Sequence, residues 1–285
     1  HLFPAAHTAR GRWYLEASTR WSVYAARRVI AISRATAADL ARFYAADRNK
    51  IDVIYEATVP PYVPPSLQPP ASGADSPALP RPYALFVGTI QPRKNLVRLA
   101  QAYAKLLSTQ QVEWDLVLAG GDGWLSGEVI GQIDALGLGD RIHRLGYVDD
   151  DALEPLLAQA HFFCYVSLYE GFGLPVLEAQ ARGVPVMAAN NSSLPEVAGD
   201  AALLVDPLDV DAIADAMLRL SSDEGLRQTL IAAGHANVAR FSWEKAAREK
   251  ARSISSQVCC SAAWMTESVM ASGVIFLLPV HGEKV

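Results

Sequence analysis

Cysteine is scarce in this sequence of 285 residues, with only Cys164, Cys259 and Cys260. Cys164 falls inside a continuous apolar run, and the other two are adjacent, an awkward spacing for bonding each other. A disulfide framework, a thiolate metal cluster and thiol catalysis are therefore not expected. Charged residues are modest in number, 19% with a net charge of −5, and they are not interleaved in a pattern that reads nucleic acid. The G-x-G-x-x-G fingerprint is missing. Gly120-Gly-Asp-Gly123 follows a predicted strand but lacks the spacing, which argues against a dehydrogenase. Long uncharged runs are rare as well. The 19 residues Ala262–Val280 hold one charge, Glu267, yet also Ser, Thr, Gly and Pro, and make a poor membrane span. No targeting segment is read at the N-terminus, and a cytoplasmic location is expected.

Apolar residues make up 51% of the chain, enough for a large core. Their spacing organises it. Residues 12–28 follow a helical pattern that places Trp13, Ala17, Trp21 and Tyr24 on one side, with Arg12, Arg20 and Arg27 beside them. A helix lying on a membrane surface has this pattern. So does a helix packing its aromatics into a core, which is the expectation here. The first 50 residues carry nine Lys/Arg against three Asp/Glu, a basic part suited to anionic lipid or to a phosphorylated acceptor. Arg28–Ser33 and Ile51–Tyr55 read as short strands. Nine prolines between Pro60 and Pro82 mark an extended linker. Beyond it, strands at 84–87, 115–119, 142–145, 162–166, 184–188 and 203–205 alternate with helical patterns, which predicts a doubly wound parallel sheet. Helices are expected at 208–221, 223–239 and 243–254.

Two constellations carry the chemistry. Glu170-Gly-Phe-Gly-Leu-Pro-Val-Leu-Glu178 follows an apolar run and sets two carboxylates around a glycine turn and a helix start marked by Pro175. The carboxyl edge of an open α/β sheet is where ligands bind, two carboxylates hold sugar hydroxyls, and a helix N-terminus favours an anion. Upstream, Val87-Gly88-Thr-Ile-Gln-Pro-Arg93-Lys94-Asn95 puts two different cations after another strand end. A guanidinium fork and a compact ammonium together suit a diphosphate. Two acidic strings, Asp149-Asp-Asp151 and Asp209-Val-Asp211, precede helical patterns and are read as caps. Ser193-Leu-Pro-Glu196 matches a capping box.

These residues bring a resemblance into view. Glu170 to Glu178 resembles the E-x7-E motif of retaining glycosyltransferases of family 4, which have the two-domain GT-B fold. The Gly88 to Asn95 string resembles the phosphate loop of mannosyltransferase-like members. Arg28-Val-Ile-Ala-Ile-Ser33, Ile142 to Val148, Ser192 to Glu196 and Phe241-Ser-Trp-Glu244 are similar to family segments in the same order, over about residues 8 to 250. The resemblance implies a partial N-terminal, acceptor-side domain at 1–59 and the linker at 60–82. A nucleotide-sugar donor domain at 83–241 and a helix at 242–256 returning towards the N-terminal part complete it. Residues 257–285 match nothing in the family and are read as a foreign or poorly ordered tail. The N-terminal Rossmann-like domain is expected to be a remnant, because its Gly-rich loop and the His-Asp pair facing the acceptor have no counterpart.

The activity implied is transfer of a sugar, mannose from GDP-mannose by preference or another from a UDP-sugar, to a saccharide or lipid-linked acceptor with retention at the anomeric carbon. No metal and no cofactor is implied. Arg93 and Lys94 would hold the diphosphate, Glu170 with Gly171, Phe172, Gly173 and Leu174 the sugar, and Glu178 the ribose. Tyr147 and Val148 would lie beside the base, while Gly88 and Thr89 line the phosphate loop. Many members have Arg where this chain has Thr89, which leaves the main phosphate role to Arg93. Two alternatives stay open: a GT-B epimerase or phosphorylase, and a non-catalytic nucleotide-sugar-binding fragment.

Overall fold

The computed structural model describes residues 8–58, 79, 82–109 and 112–255, together with the backbone of Val274–Leu277. Most of the proline-rich segment therefore lies outside the described residues. The chain divides into two compact units, His1–Ala57 with Phe241–Val285, and Thr58–Arg240.

The first unit opens with α1 (Ala9–Ala25), whose first turn is capped by the Thr8 hydroxyl accepting from the Gly11 N–H at 3.2 Å. Strand β1 (Arg28–Ala31), helix α2 (Arg34–Tyr44) and strand β2 (Ile51–Val53) follow. The two strands pair in parallel, with Val29 opposite Ile51. Ser33 ends the strand run and caps α2 by accepting from the Thr36 N–H at 3.0 Å. Val23, Ala26, Val29, Ala31 and Leu40 form a small core. The aromatic side of α1 does not join it. Trp13 is 74% exposed, Trp21 61% and Tyr24 83%, while Val23, on the opposite side, is buried. Helical spacing states which residues share a side; the strip that meets the core is instead the one that fits between β1 and α2, and the small aliphatic strip fits.

The second unit runs β3 (Tyr83–Val87), α3 (Leu96–Thr109), β4 (Asp115–Ala119), α4 (Ser126–Asp134), β5 (Ile142–Gly146), α5 (Asp150–Ala158) and β6 (Phe162–Tyr165). It continues through α6 (Leu174–Ala181), β7 (Val186–Ala189), α7 (Leu194–Ala198), β8 (Ala202–Val205), α8 (Val210–Ser222) and α9 (Glu224–Val238). Its sheet has the order β5-β4-β3-β6-β7-β8, and every pairing in it is parallel. β3, β4, β6 and β7 are buried, as their apolar runs require of strands covered on both sides, and the one charge among them, Asp115 in β4, is bonded to Arg141 and His143. α3 lays Leu96, Leu99, Ala100, Tyr103 and Leu106 against them at the spacing of one helical face. The expectation of a doubly wound parallel α/β sheet holds. The winding reverses between β3 and β6, which makes that gap the switch point.

Several local expectations change. Asp209 caps α8 through the N–H groups of Asp211 and Ala212, but Asp149 stands at the start of α5 without a side-chain capping bond. Ser193 is not a capping box either; its hydroxyl is engaged elsewhere. β7 begins at Val186, because Pro185 cannot donate to a ladder. The expected tail at 257–285 lies outside the described residues except for the backbone of β9 (Val274–Leu277), which pairs antiparallel with β1. Before it, α10 (Trp243–Ser255) belongs to the first unit. There Asp52 accepts from the Arg28 guanidinium and from the Ser253 hydroxyl, the latter at 2.6 Å. No described helix is long and apolar enough to cross a membrane.

One backbone contact pins the loops at the carboxyl edge. Gly120, at φ +149°, passes so close to Gly88 that a Cβ there would lie 2.1 Å from the Gly88 carbonyl oxygen. Gly88 N–H donates to the Ala119 carbonyl and Ile90 N–H to that of Gly121, both at 2.9 Å. Gly120→Ala is therefore expected to cost about 3 kcal/mol or more. Gly131→Ala, in α4 with nothing within 4 Å of an added Cβ, is expected to gain up to ~1 kcal/mol. Chemical denaturation of both variants checks the pair, and equal effects would refute the close approach.

Candidate functional site

The loops after β3 and β6 meet at the switch point. After β3, Pro92–Lys94 make one 3-10 turn and Asn95 takes a left-handed conformation, φ 61°, before α3 begins. This turn is bolted to the neighbouring strand. Leu168 N–H donates to the Arg93 carbonyl at 2.9 Å. Asn95 Nδ2 donates to the carbonyls of Val166 at 3.0 Å and Pro207 at 2.7 Å. Arg93 and Lys94 are thus delivered to the side where Glu170 stands.

Glu170 is 7% exposed and Lys94 6%. Lys94 Nζ donates to Glu170 Oε1 at 2.7 Å, and Arg93 Nη1 to Glu170 Oε2 at 2.6 Å and the Tyr169 carbonyl at 2.6 Å. Burial alone would raise the Glu170 pKa; the charges of Lys94 and Arg93 outweigh it and hold the carboxyl below its usual range. Burial depresses Lys94, with the Glu170 charge opposing and Arg93 adding to the depression. Lys94 also donates to the Tyr165 hydroxyl at 2.7 Å. Two of the three ammonium donors are thus engaged, and the third reaches no described acceptor. Arg93 likewise keeps Nε and Nη2 without a described partner. The cluster has two cations to one carboxylate, a net positive charge offered to an anion.

The glycine loop is held from behind. Glu170 N–H donates to Ser192 Oγ at 3.0 Å, and Asn191 Nδ2 to the Leu168 carbonyl at 3.0 Å. The Ser193 hydroxyl lies 2.9 Å from the Glu170 carbonyl and 2.6 Å from that of Phe172, one donor shared by two acceptors. Gly173, at φ +113°, then turns the chain into α6; a Cβ there would lie 2.7 Å from Leu194 Cδ2. The N–H groups of Gly173 and Leu174 have no described acceptor at this helix start. Phe172 is buried beneath them.

Of the residues read from sequence, the structure brings Arg93, Lys94 and Glu170 into direct contact and sets Gly171, Phe172, Gly173 and Leu174 in the same loop. Gly88 and Thr89 form the start of the β3 loop. Glu178 lies in α6, outside the hydrogen-bonded cluster. Its carboxyl bonds to no described residue, and burial raises its pKa, helped by Asp150 and Glu154 and opposed by Arg182. Tyr147 follows β5 with 77% exposure, and Val148 packs against the core. Tyr165, Ser192, Ser193 and Asn191 were not read as site residues. The first looked like core strand; the serines stood in a segment explained as a cap.

Comparison with known proteins identifies the family of the chain. The family described as glycosyl transferases group 1 matches residues 74–236. The chain is 47% identical over 163 residues to the O-antigen chain mannosyltransferase B of Escherichia coli, covering 57% of this chain and 42% of that protein. It is 36% identical over 162 residues to the MMP alpha-(1->4)-mannosyltransferase of Mycolicibacterium hassiacum, covering 55% and 39%. The chain thus spans well under half the length of these two relatives. Among solved structures, a sucrose-phosphate synthase of Thermosynechococcus elongatus superposes with a TM-score of 0.67 at 29% identity, covering 81% of this chain and 58% of that one.

Replacing Glu170 by Gln leaves the buried Lys94 and the half-buried Arg93 without a counter-charge, so a loss of about 3 kcal/mol is expected, most of it from Lys94. The folded carboxyl titrates below its unfolded value of 4.5, so its stabilisation is full above that pH and fades as pH falls through the folded value. Glu170→Gln should lack that acid-side loss. Denaturation curves between pH 3 and 7 for both proteins decide it, and parallel pH profiles would refute the charged pairing.

Proposed function

The chain belongs to the glycosyl transferases group 1 family, and from that premise we propose that it moves a mannosyl group from GDP-mannose to a saccharide or lipid-linked acceptor, with retention at the anomeric carbon. The observation that carries this is the Arg93–Lys94–Glu170 cluster at the switch point, with its unengaged donors. In this reading the C1–oxygen bond to the diphosphate breaks while the acceptor hydroxyl oxygen bonds to C1 and gives its proton to the departing diphosphate. Arg93 and Lys94 meet the charge that gathers on the departing diphosphate, in a site whose donors are already arranged. The N–H groups of Gly173 and Leu174 add the positive end of α6 to the same charge. Glu170 keeps lone pairs for a sugar hydroxyl, and the unbonded Glu178 carboxyl accepts from the ribose. Tyr147 offers an exposed ring for the base. The two mannosyltransferase relatives support mannose as the sugar.

Thermal-shift titration with GDP-mannose, GDP, UDP-glucose and UDP-galactose tests the donor, because a ligand stabilises by RT ln(1 + [L]/Kd). GDP-mannose should give the largest shift, and a larger one from a UDP-sugar would overturn the assignment. Lys94→Ala should weaken GDP binding by ~1.5–3 kcal/mol, the worth of a hydrogen bond to a charged group. Unchanged affinity would remove Lys94 from the phosphate site.

The exposed face of α1 supports a second partner. Trp13, Tyr14, Trp21 and Tyr24 point away from the core, and Arg10, Arg12, Arg20 and Arg27 share this region with the single acidic residue Glu16. Aromatic rings with arginines beside them suit an anionic lipid surface, and in this reading the reaction runs at a membrane face. Co-sedimentation should show binding to vesicles with 30% phosphatidylglycerol and little to pure phosphatidylcholine. A Trp13→Ser/Trp21→Ser variant should lose most of it; retained binding would sink this contact.

A further inference from the structure

Tyr165 ends β6 and is 2% exposed. Its ring lies between two others, stacked on Phe86 with centroids 6.0 Å apart and on Phe163 at 5.9 Å. Phenylalanine at this position would pack as well, because those contacts involve only the ring. The hydroxyl is what core packing leaves unexplained, since burying one costs free energy unless it is bonded. The hydroxyl accepts from Lys94 Nζ at 2.7 Å, the same nitrogen that reaches Glu170 Oε1 at 2.7 Å, and its own proton is directed to the Glu170 carboxylate. An ammonium with one acceptor still rotates about its Cε–Nζ bond. With two fixed acceptors it does not, and the third N–H points in one direction only.

We infer that Tyr165 is a positioning residue for Lys94: its hydroxyl, immobilised by the Phe86–Phe163 stack, aims the remaining Lys94 donor at the bound diphosphate. This inference rests on the reading of Arg93 and Lys94 as the diphosphate site. Tyr165 touches no substrate; it acts through the lysine. A catalytic ammonium buried on all but one side also has to stay protonated. The groups facing it are Arg93 from its own turn, Glu170 from the loop after β6 and Tyr165 from β6, while Glu178 in α6 acts on Tyr165. Burial, with the Glu170 charge, pushes the Tyr165 hydroxyl well above its ordinary range, so it remains a neutral acceptor. Its lone pair favours the charged form of Lys94. Without it, Lys94 loses its proton at a lower pH, and anion binding is lost earlier as pH rises.

The experiment is calorimetric titration of the whole chain with GDP from pH 6.5 to 10.5, for the wild type, Tyr165→Phe, Lys94→Ala and Tyr103→Phe. Ionisation of GDP is common to every arm and cancels between them. Tyr103 is a control for losing a buried hydroxyl bond away from the site, as it donates to the Trp114 carbonyl at 2.7 Å. Tyr165→Phe should bind GDP about tenfold more weakly at pH 7.5, with the alkaline limb about one pH unit lower, as expected for one hydrogen bond to a charged group. Tyr103→Phe should leave affinity and limb unchanged whatever its melting temperature. If Tyr165→Phe fails to fold, 3-fluorotyrosine placed at position 165 alone keeps the shape, weakens the acceptor, and should move the limb part of the way down. Wild-type affinity and limb in Tyr165→Phe or in the fluorinated protein, with Lys94→Ala impaired, would overturn the role of Tyr165 and leave the phosphate site standing. A wild type that does not bind GDP, or binds it independently of Lys94, would overturn both.

Discussion

Burying the Glu170 carboxylate is the constraint to which the rest of the site answers. A carboxylate taken out of water is costly unless paired and hydrogen-bonded, and this one is met by a guanidinium on one oxygen and an ammonium on the other. The cations come from a different loop, so satisfying the charge fixes how the β3 and β6 loops stand to each other. The backbone then complies: Asn95 adopts a left-handed turn, and Leu168 bonds to the carbonyl of Arg93. The cluster does not balance. One carboxylate against two cations leaves a positive site with directed donors, and preorganised charge is the form in which a protein stabilises a leaving diphosphate at no reorganisation cost during the reaction.

Much of this was legible in the sequence, for reasons that differ from residue to residue. Unbroken apolar runs such as Phe162–Tyr165 announce strands covered on both faces. Alternation with helical spacing then leaves a parallel, doubly wound sheet as the simplest arrangement. Arg93 and Lys94 stood out as two different cations after a strand end, suited to a diphosphate, and cations taken into a fold need a partner. That partner is Glu170, 76 positions from Lys94 along the chain; the sequence names both residues but not their contact.

What stayed hidden was hidden by ambiguity of role. Tyr165 satisfies every rule for a core strand residue, and only the position of its oxygen shows otherwise. Ser193 satisfies the capping-box pattern, yet its backbone is already helical, at φ −82°, and its hydroxyl points to the Glu170 loop. On α1 the period was right and the side was wrong, since aromatic content does not decide which strip of a helix faces inward. In each case local pattern was read correctly and a contact made across the fold determined the outcome.

The Asp52 carboxylate carries a consequence of another kind. It gathers Arg28 from β1 and Ser253 from α10, partners separated by more than two hundred positions, while residues 58–240 form a unit of uninterrupted sequence between them. During synthesis the intervening unit emerges with all of its strands before α10 exists outside the ribosome, and domains in that position fold as they appear. Of these two units, the one that contributes β1 and β2 ahead of the other is therefore completed after it. Until the ribosome has passed residue 253, β1 and β2 wait with the Asp52 charge answered from one side only.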